Sequence, residues 1–170
     1  LESTKPLDSK NSSLPKPEAL SVQPDFIPIE LRARNQWVVW KYEFQPNKKK
    51  PWTKVPFNPK RECKASHSAP STWGTFEQAL GLYKRGGYDG IGYVFSKDDP
   101  YCGIDLDDCR IPEDGAISPE KHRHVDLMSS YTEVSPSGTG LHIIIKGQLL
   151  GGGRKDSKHG IEVYDRERFF

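Results

Sequence analysis

The sequence predicts an α+β domain, a mostly antiparallel sheet with helices packed on one face. Three observations carry this reading. Short β-branched and aromatic runs recur along the chain. Two stretches hold helix signals with recognisable caps. Three of the strand runs repeat one alternation, apolar on one face and ionisable on the other.

The elements follow in order. Residues 1–25 are polar and rich in Ser, Pro and Lys, so they read as a disordered tail or linker, and 26–170 as the folded domain. Pro28 suits the first turn of a short helix through Leu31. Gln36 to Glu43 reads as an aromatic strand, and 44–70 as loop with a short extended piece. Thr75-x-x-Gln78 is a capping box, with Phe76, Ala79, Leu80 and Tyr83 at helical spacing and Gly86 as the C-cap glycine. Gly90 to Phe95 and Tyr101 to Asp107 are strands joined by the turn at 96–100. Ser118-Pro119 opens a helix to about Ser129. Tyr131 to Val134, Leu141 to Lys146 and Gly160 to Asp165 complete the strands.

The bulk properties bound the answer. A chain of 170 residues with 34% hydrophobic content can bury one core, and a net charge of +2 gives no global polyelectrolyte signature. No apolar run approaches a membrane span, and the first residues lack a signal-peptide pattern. Three cysteines, Cys63, Cys102 and Cys109, make no paired framework, which fits a reducing cytoplasm. Leu1 in place of Met suggests a piece of a longer protein.

In Ile104-Asp105-Leu106-Asp107 the two aspartates share one strand face. His142 and Glu162 likewise point opposite to their apolar neighbours Leu141, Ile143, Ile161 and Val163. If these strands pair suitably, two Asp, one Glu and one His converge. Carboxylates at i and i+2 lie roughly 6–7 Å apart along a strand. That spacing suits bridging of two Mg²⁺ or Mn²⁺ ions about 3.5–4 Å apart. Asp108 points the other way and has a local structural role. The run Ser135-Pro-Ser137-Gly138-Thr-Gly140-Leu-His142 offers a glycine-hydroxyl turn whose backbone N–H groups form a nest for phosphate, with His142 donating to a triphosphate; it is not a Walker A loop.

Basic residues cluster at Lys48, Lys49, Lys50, Lys54, Lys60, Arg61 and Lys64, interleaved with Trp52 and Phe57. Arg154, Lys155 and Lys158 form a second basic loop before Glu162. Cations with aromatics suit contact with nucleic acid or triphosphate.

Several stretches together resemble the primase-polymerase (Prim-Pol) branch of the archaeo-eukaryotic primase superfamily, of phage, plasmid and mobile-element type. They are 36–41, 54–59, 64–66, 90–95, 103–108, 131–142, 161–164 and 168–170, in family order. The resemblance implies an RNA-recognition-motif-like (RRM-like) sheet as catalytic core, with Asp105, Asp107 and Glu162 as metal ligands and His142 on the incoming triphosphate. It also implies Arg168 and Phe169 near the nucleotide; some relatives carry Tyr where Phe169 stands. The implied activity is template-directed nucleotidyl transfer to a 3′-hydroxyl with two Mg²⁺ or Mn²⁺ ions. The implied partners are a single-stranded DNA template with primer, a dNTP or NTP, and a helicase domain in the same chain or operon, with no membrane. Family members usually continue beyond the point matching Phe170.

The rival reading is an RRM-like domain that binds nucleic acid without catalysis, since Gly90 to Phe95 partly echoes an RNA-binding motif, with Asp89 in place of the usual basic residue. Such a domain has no need of Asp105, Asp107 and Glu162. His122-Arg-His124 echoes a nickase motif but falls in a helix where i and i+2 do not share a face. Cys63 with His67, and Cys102 with Cys109, have irregular spacing for zinc.

Overall fold

Two antiparallel sheets, each backed by its own helix, meet along a cleft, and this arrangement follows from how deeply the first strand is buried. The computed structural model describes residues 14–170. In chain order its elements are α1 (Ile29–Arg32), β1 (Trp37–Phe44), β2 (Trp52–Phe57), α2 (Phe76–Arg85), β3 (Gly90–Phe95), β4 (Tyr101–Leu106), α3 (Pro119–Met128), β5 (Tyr131–Val134), β6 (Leu141–Lys146), β7 (Arg154–Asp156), β8 (Ile161–Tyr164) and β9 (Arg168–Phe169). The first sheet has the order β2-β1-β3-β9 and the second β5-β6-β4-β8-β7.

The α+β, antiparallel character agrees with the sequence reading, but one sheet with helices on one face becomes two sheets. The reason lies in β1. Trp37, Val38, Val39 and Trp40 are all buried, so both faces of that strand need cover. Helix α2 packs on β1 and β3; its Phe76, Ala79 and Leu82 join Trp37, Val39 and Tyr93 in the larger core cluster. The opposite face of β1 and β3 carries Val38 and Val94, covered by Trp73 and Phe169. Helix α3 instead serves the second sheet, where Val125 packs with Ile104, Leu106, Leu141 and Ile143.

Asp99 turns the chain from one sheet into the other. Its buried carboxylate accepts hydrogen bonds from the amides of Ser96 (2.9 Å) and Tyr101 (2.8 Å) and from the Tyr93 hydroxyl (3.3 Å). Gly103 marks where the sheets touch: a Cβ there would stand 2.4 Å from the Phe170 ring and 2.6 Å from that of Phe95.

The Thr75 capping box forms in full, with Gln78 N to Thr75 Oγ1 at 3.2 Å and Thr75 N to Gln78 Oε1 at 3.0 Å. Ser118 begins α3 without a side-chain cap bond, and Pro119 supplies the start. Strand β2 is the short extended piece expected within 44–70, whereas β7 and β9 have no counterpart in the sequence reading. Strand β2 holds Pro56, tolerated because it is a sheet edge. The expected tail at 1–25 lies partly outside the described residues. From residue 14 to 23 the chain has no regular secondary structure, with Lys16 paired to Asp89 (2.8 Å) and Val22 packed on the larger core.

Candidate active site

The second sheet places five ionisable residues in one transverse row. Asp105 on β4 is the direct register partner of His142 on β6 and of Glu162 on β8. Glu133 on β5 partners His142, and Lys155 on β7 partners Glu162. The row therefore reads Glu133, His142, Asp105, Glu162, Lys155 across all five strands. Side chains directly opposite in an antiparallel pair have Cβ atoms about 4.5–5.5 Å apart. The alternation that buries Ile104 and Leu106 against α3 sends this row to the other face, toward the first sheet.

Asp107 follows the end of β4. It is exposed, its amide donates to the Gly160 carbonyl (2.9 Å), and it stands beside the turn that leads into β8. Asp105 and Glu162 are thus direct partners, with Asp107 just past the end of β4.

Like charges placed opposite one another repel, and cations crowd this row. The Lys155 ammonium hydrogen-bonds Glu162 Oε1. The Arg168 guanidinium lies 3.9 Å from Glu162 Oε2, donates to the Tyr164 hydroxyl (2.9 Å) and stacks 4.3 Å from that ring's centre. Lys54 reaches across from β2, between the rings of Trp40 (5.7 Å) and Phe169 (5.9 Å). Burial lowers the Lys54 ammonium below its ordinary pKa, against the upward pull of Asp105, Glu133 and Asp107. Burial likewise lifts Asp105 above the usual carboxylate value; His142 and Lys54 oppose that rise, while Asp107 and Glu162 add to it.

His142 is buried at 2% exposure and lies flat on Phe170, the ring centres 4.1 Å apart and the planes 10° from parallel. Its Nδ1 sits 3.1 Å from Glu133 Oε1 and its Nε2 3.9 Å from Asp105 Oδ1. Burial works to raise the Glu133 carboxyl, but the His142 hydrogen bond and charge, the Tyr131 hydroxyl and Lys54 outweigh it and leave it below the usual value.

As the side chains stand, no group of three or more His, Cys, Asp or Glu among the described residues closes into a cluster that could hold a metal ion. The donor set nonetheless fits a hard divalent cation: Asp105, Asp107 and Glu162 offer only carboxylate oxygens. Glu162 already holds one cation, the Lys155 ammonium, in the place where a metal ion would compete for it. The expected zinc decoys separate, with Cys63 exposed and Cys102 and Cys109 buried. His122 pairs with Asp126 along α3 (3.1 Å).

The glycine turn differs from the phosphate nest read from the sequence. The Gly138 amide donates to the Ser135 carbonyl (2.8 Å), that of Thr139 to Ser137 Oγ (3.4 Å), and that of Gly140 to Ser135 Oγ (3.1 Å). The turn therefore spends these donors on itself. Gly138 is needed for its φ of +78°, and Gly140 because a Cβ would stand 2.7 Å from the Leu106 carbonyl. Asp108 takes the local role expected, accepting from Thr139 Oγ1 (3.5 Å).

Lys48, Lys49 and Lys50 are exposed in the β1–β2 turn, and Lys158 is exposed before Gly160. Lys64 is engaged with Glu43 (2.9 Å), and Arg154 donates to the Leu150 carbonyl (3.1 Å). One residue, Glu133, and one role, that of Lys155, have no counterpart in the sequence reading. Lys155 is an edge-strand partner of Glu162 as well as a surface cation, and Glu133 faces His142. Counting outward from the 135–140 turn would have found Glu133, since Val134 opposite Leu141 puts Glu133 opposite His142.

No protein-family model matches the chain. A DNA Primase-polymerase of Nitratiruptor phage NrS-1 is 37% identical over 139 residues, covering 79% of this chain and 18% of the phage protein. The chain thus spans less than a fifth of that relative's length. Among the described residues no helix is long and apolar enough to cross a membrane.

Proposed function

The chain belongs to the primase-polymerase (Prim-Pol) family, and we propose that it carries the catalytic core of a template-directed nucleotidyltransferase. The observation that supports this most is the register that puts Asp105 between His142 and Glu162. In this reading the five-stranded sheet is the RRM-like catalytic sheet, and the first sheet supplies Lys54 from across the cleft.

Asp105, Asp107 and Glu162 would hold two Mg²⁺ or Mn²⁺ ions. Such ions supply charge neutralisation and activation of the primer 3′-hydroxyl toward the α-phosphate. The protein's own groups position and balance charge. The His142 imidazole, held on Phe170, turns Nε2 toward the triphosphate. The Lys54 ammonium and the Arg168 guanidinium face the negative phosphates, and the Lys155 ammonium withdraws from Glu162 when that carboxylate takes a metal. Lys155 is mostly exposed, so its withdrawal costs little. Phe169 packs beside Lys54 against Gly92, where it borders the nucleotide. Ser137 stays exposed at the turn and offers a hydroxyl to phosphate, while Gly138 and Gly140 shape that turn. Exposed Lys48, Lys49, Lys50 and Lys158, with Lys64, Arg154 and Lys155, attract a single-stranded template and primer. A helicase segment beyond this span, in the same chain or operon, is part of the proposal. A binder without catalysis has no use for three carboxylates facing the cleft.

Incorporation of a labelled dNTP or NTP on a primed single-stranded template, with Mg²⁺ or Mn²⁺, tests the reading. Wild-type chain should extend the primer, and Asp105→Ala/Asp107→Ala should not. Equal extension by both would overturn it.

A further inference from the structure

We propose that Glu133 is a positioning residue for His142, fixing which imidazole nitrogen faces the substrate; this rests on the triphosphate role given to His142 above. An ionised carboxylate only accepts. Glu133 Oε1 lies 3.1 Å from Nδ1, so Nδ1 carries a proton and donates it there. Glu133 is itself held, because its second oxygen accepts from the Tyr131 hydroxyl at 2.6 Å. The ring cannot turn freely, since it lies flat on Phe170 and is almost wholly buried. Nε2 points to Asp105 across 3.9 Å, too far for a hydrogen bond, and so remains available to a third group.

The relay is built from register. Tyr131 and Glu133 stand two apart on β5, on one face, and Glu133, His142 and Asp105 are successive partners across β5, β6 and β4. Tyr131 and Glu133 also line a cavity of about 440 Å³ between the sheets, with Trp40, Tyr93 and Phe170. Remove the Glu133 carboxylate and the hydrogen bond that holds Nδ1 is lost. The nitrogen facing the substrate then ceases to be fixed.

The test uses the 170-residue chain in two measurements. Long-range ¹⁵N–¹H NMR of the histidine side chains reports which nitrogen of His142 is protonated, without metal or substrate. Steady-state kinetics separate KM for the dNTP from kcat. Wild type should show a protonated Nδ1. Glu133→Leu, which leaves no acceptor opposite Nδ1, should lose that signature and raise KM roughly ten- to a hundredfold, the usual weight of a partner that orients an imidazole, with a smaller change in kcat and the secondary structure retained. Glu133→Asp should recover part of both. Tyr131→Phe should give a weaker version of the Leu phenotype. A wild-type His142 bearing its proton on Nε2 alone, or a Leu variant with unaltered tautomer and KM, would overturn the proposal. A correct tautomer pattern in a chain that incorporates no nucleotide would uphold the positioning role and sink the catalytic reading instead.

Discussion

The two sheets obey the same alternation rule and put it to opposite ends. In the first, β1 and β3 are buried on both faces, and their side chains interlock as edge-to-face aromatics, Trp37 with Phe76 and Tyr93, and Tyr93 with Phe95. In the second, one face packs on α3, and the other adds Tyr101, Ile144, Tyr131 and Tyr164 to the larger core but also lines up Glu133, His142, Asp105, Glu162 and Lys155. The difference teaches that the first sheet is a wall and the second a bench. Chemistry sits where a strand can spare every second residue, and the wall lends it Lys54, Phe169 and Phe170.

That contrast breaks most visibly at the carboxylates. Asp105→Ala/Asp107→Ala should cost on the order of a thousandfold or more in metal-dependent extension, several kcal/mol of transition-state stabilisation. Its melting temperature should not fall, because Asp105 is held against burial and repulsion in the metal-free fold. A matching loss of secondary structure would show that the bench is also a wall. Next comes the seam. Gly103→Ala drives a methyl into Phe95 and Phe170 and should destabilise the fold by about 1–3 kcal/mol, read by urea unfolding. An unaltered midpoint would mean that the sheets do not press together there.

The pH dependence of stability isolates the row itself. Glu133 has its carboxyl below the ordinary glutamate value in the fold. A group depressed on folding contributes stability above its unfolded pKa and loses it as pH falls through the folded one. Stability should therefore drop from about pH 4.5 downward, and Glu133→Gln should flatten that part of the curve; parallel curves would refute the coupling. The smallest effect belongs to Lys155. Its replacement by Ala frees Glu162 Oε1 and should tighten Mn²⁺ binding severalfold by calorimetry, with the fold unchanged; weaker binding would show that the ammonium assists the site.

Much of this was legible in the sequence because alternation is a local property. Asp105, His142 and Glu162 each stand between apolar neighbours, and that alone put them on one kind of face. Register is not local. The 135–140 turn gives the count that sets Glu133 opposite His142, but that the strands pair, there and across β7–β8, is written in no single segment. Strand β7, Arg-Lys-Asp, has no β-forming residue, and β9 is two residues long, so neither shows a pattern to read. The second sheet stayed hidden for a related reason. The turn at 96–100 looks like a hairpin connection, whereas Asp99 uses it to send β4 away from β3.

The convergence of three carboxylates is tested most directly by counting Mn²⁺ ions bound to the chain by calorimetry or paramagnetic resonance, with a nucleoside triphosphate present. Wild type should bind two, and Glu162→Gln and Asp105→Asn should each bind fewer and more weakly. Unchanged stoichiometry and affinity in Glu162→Gln would contradict the account, because Glu162 would then have no part in holding the ions.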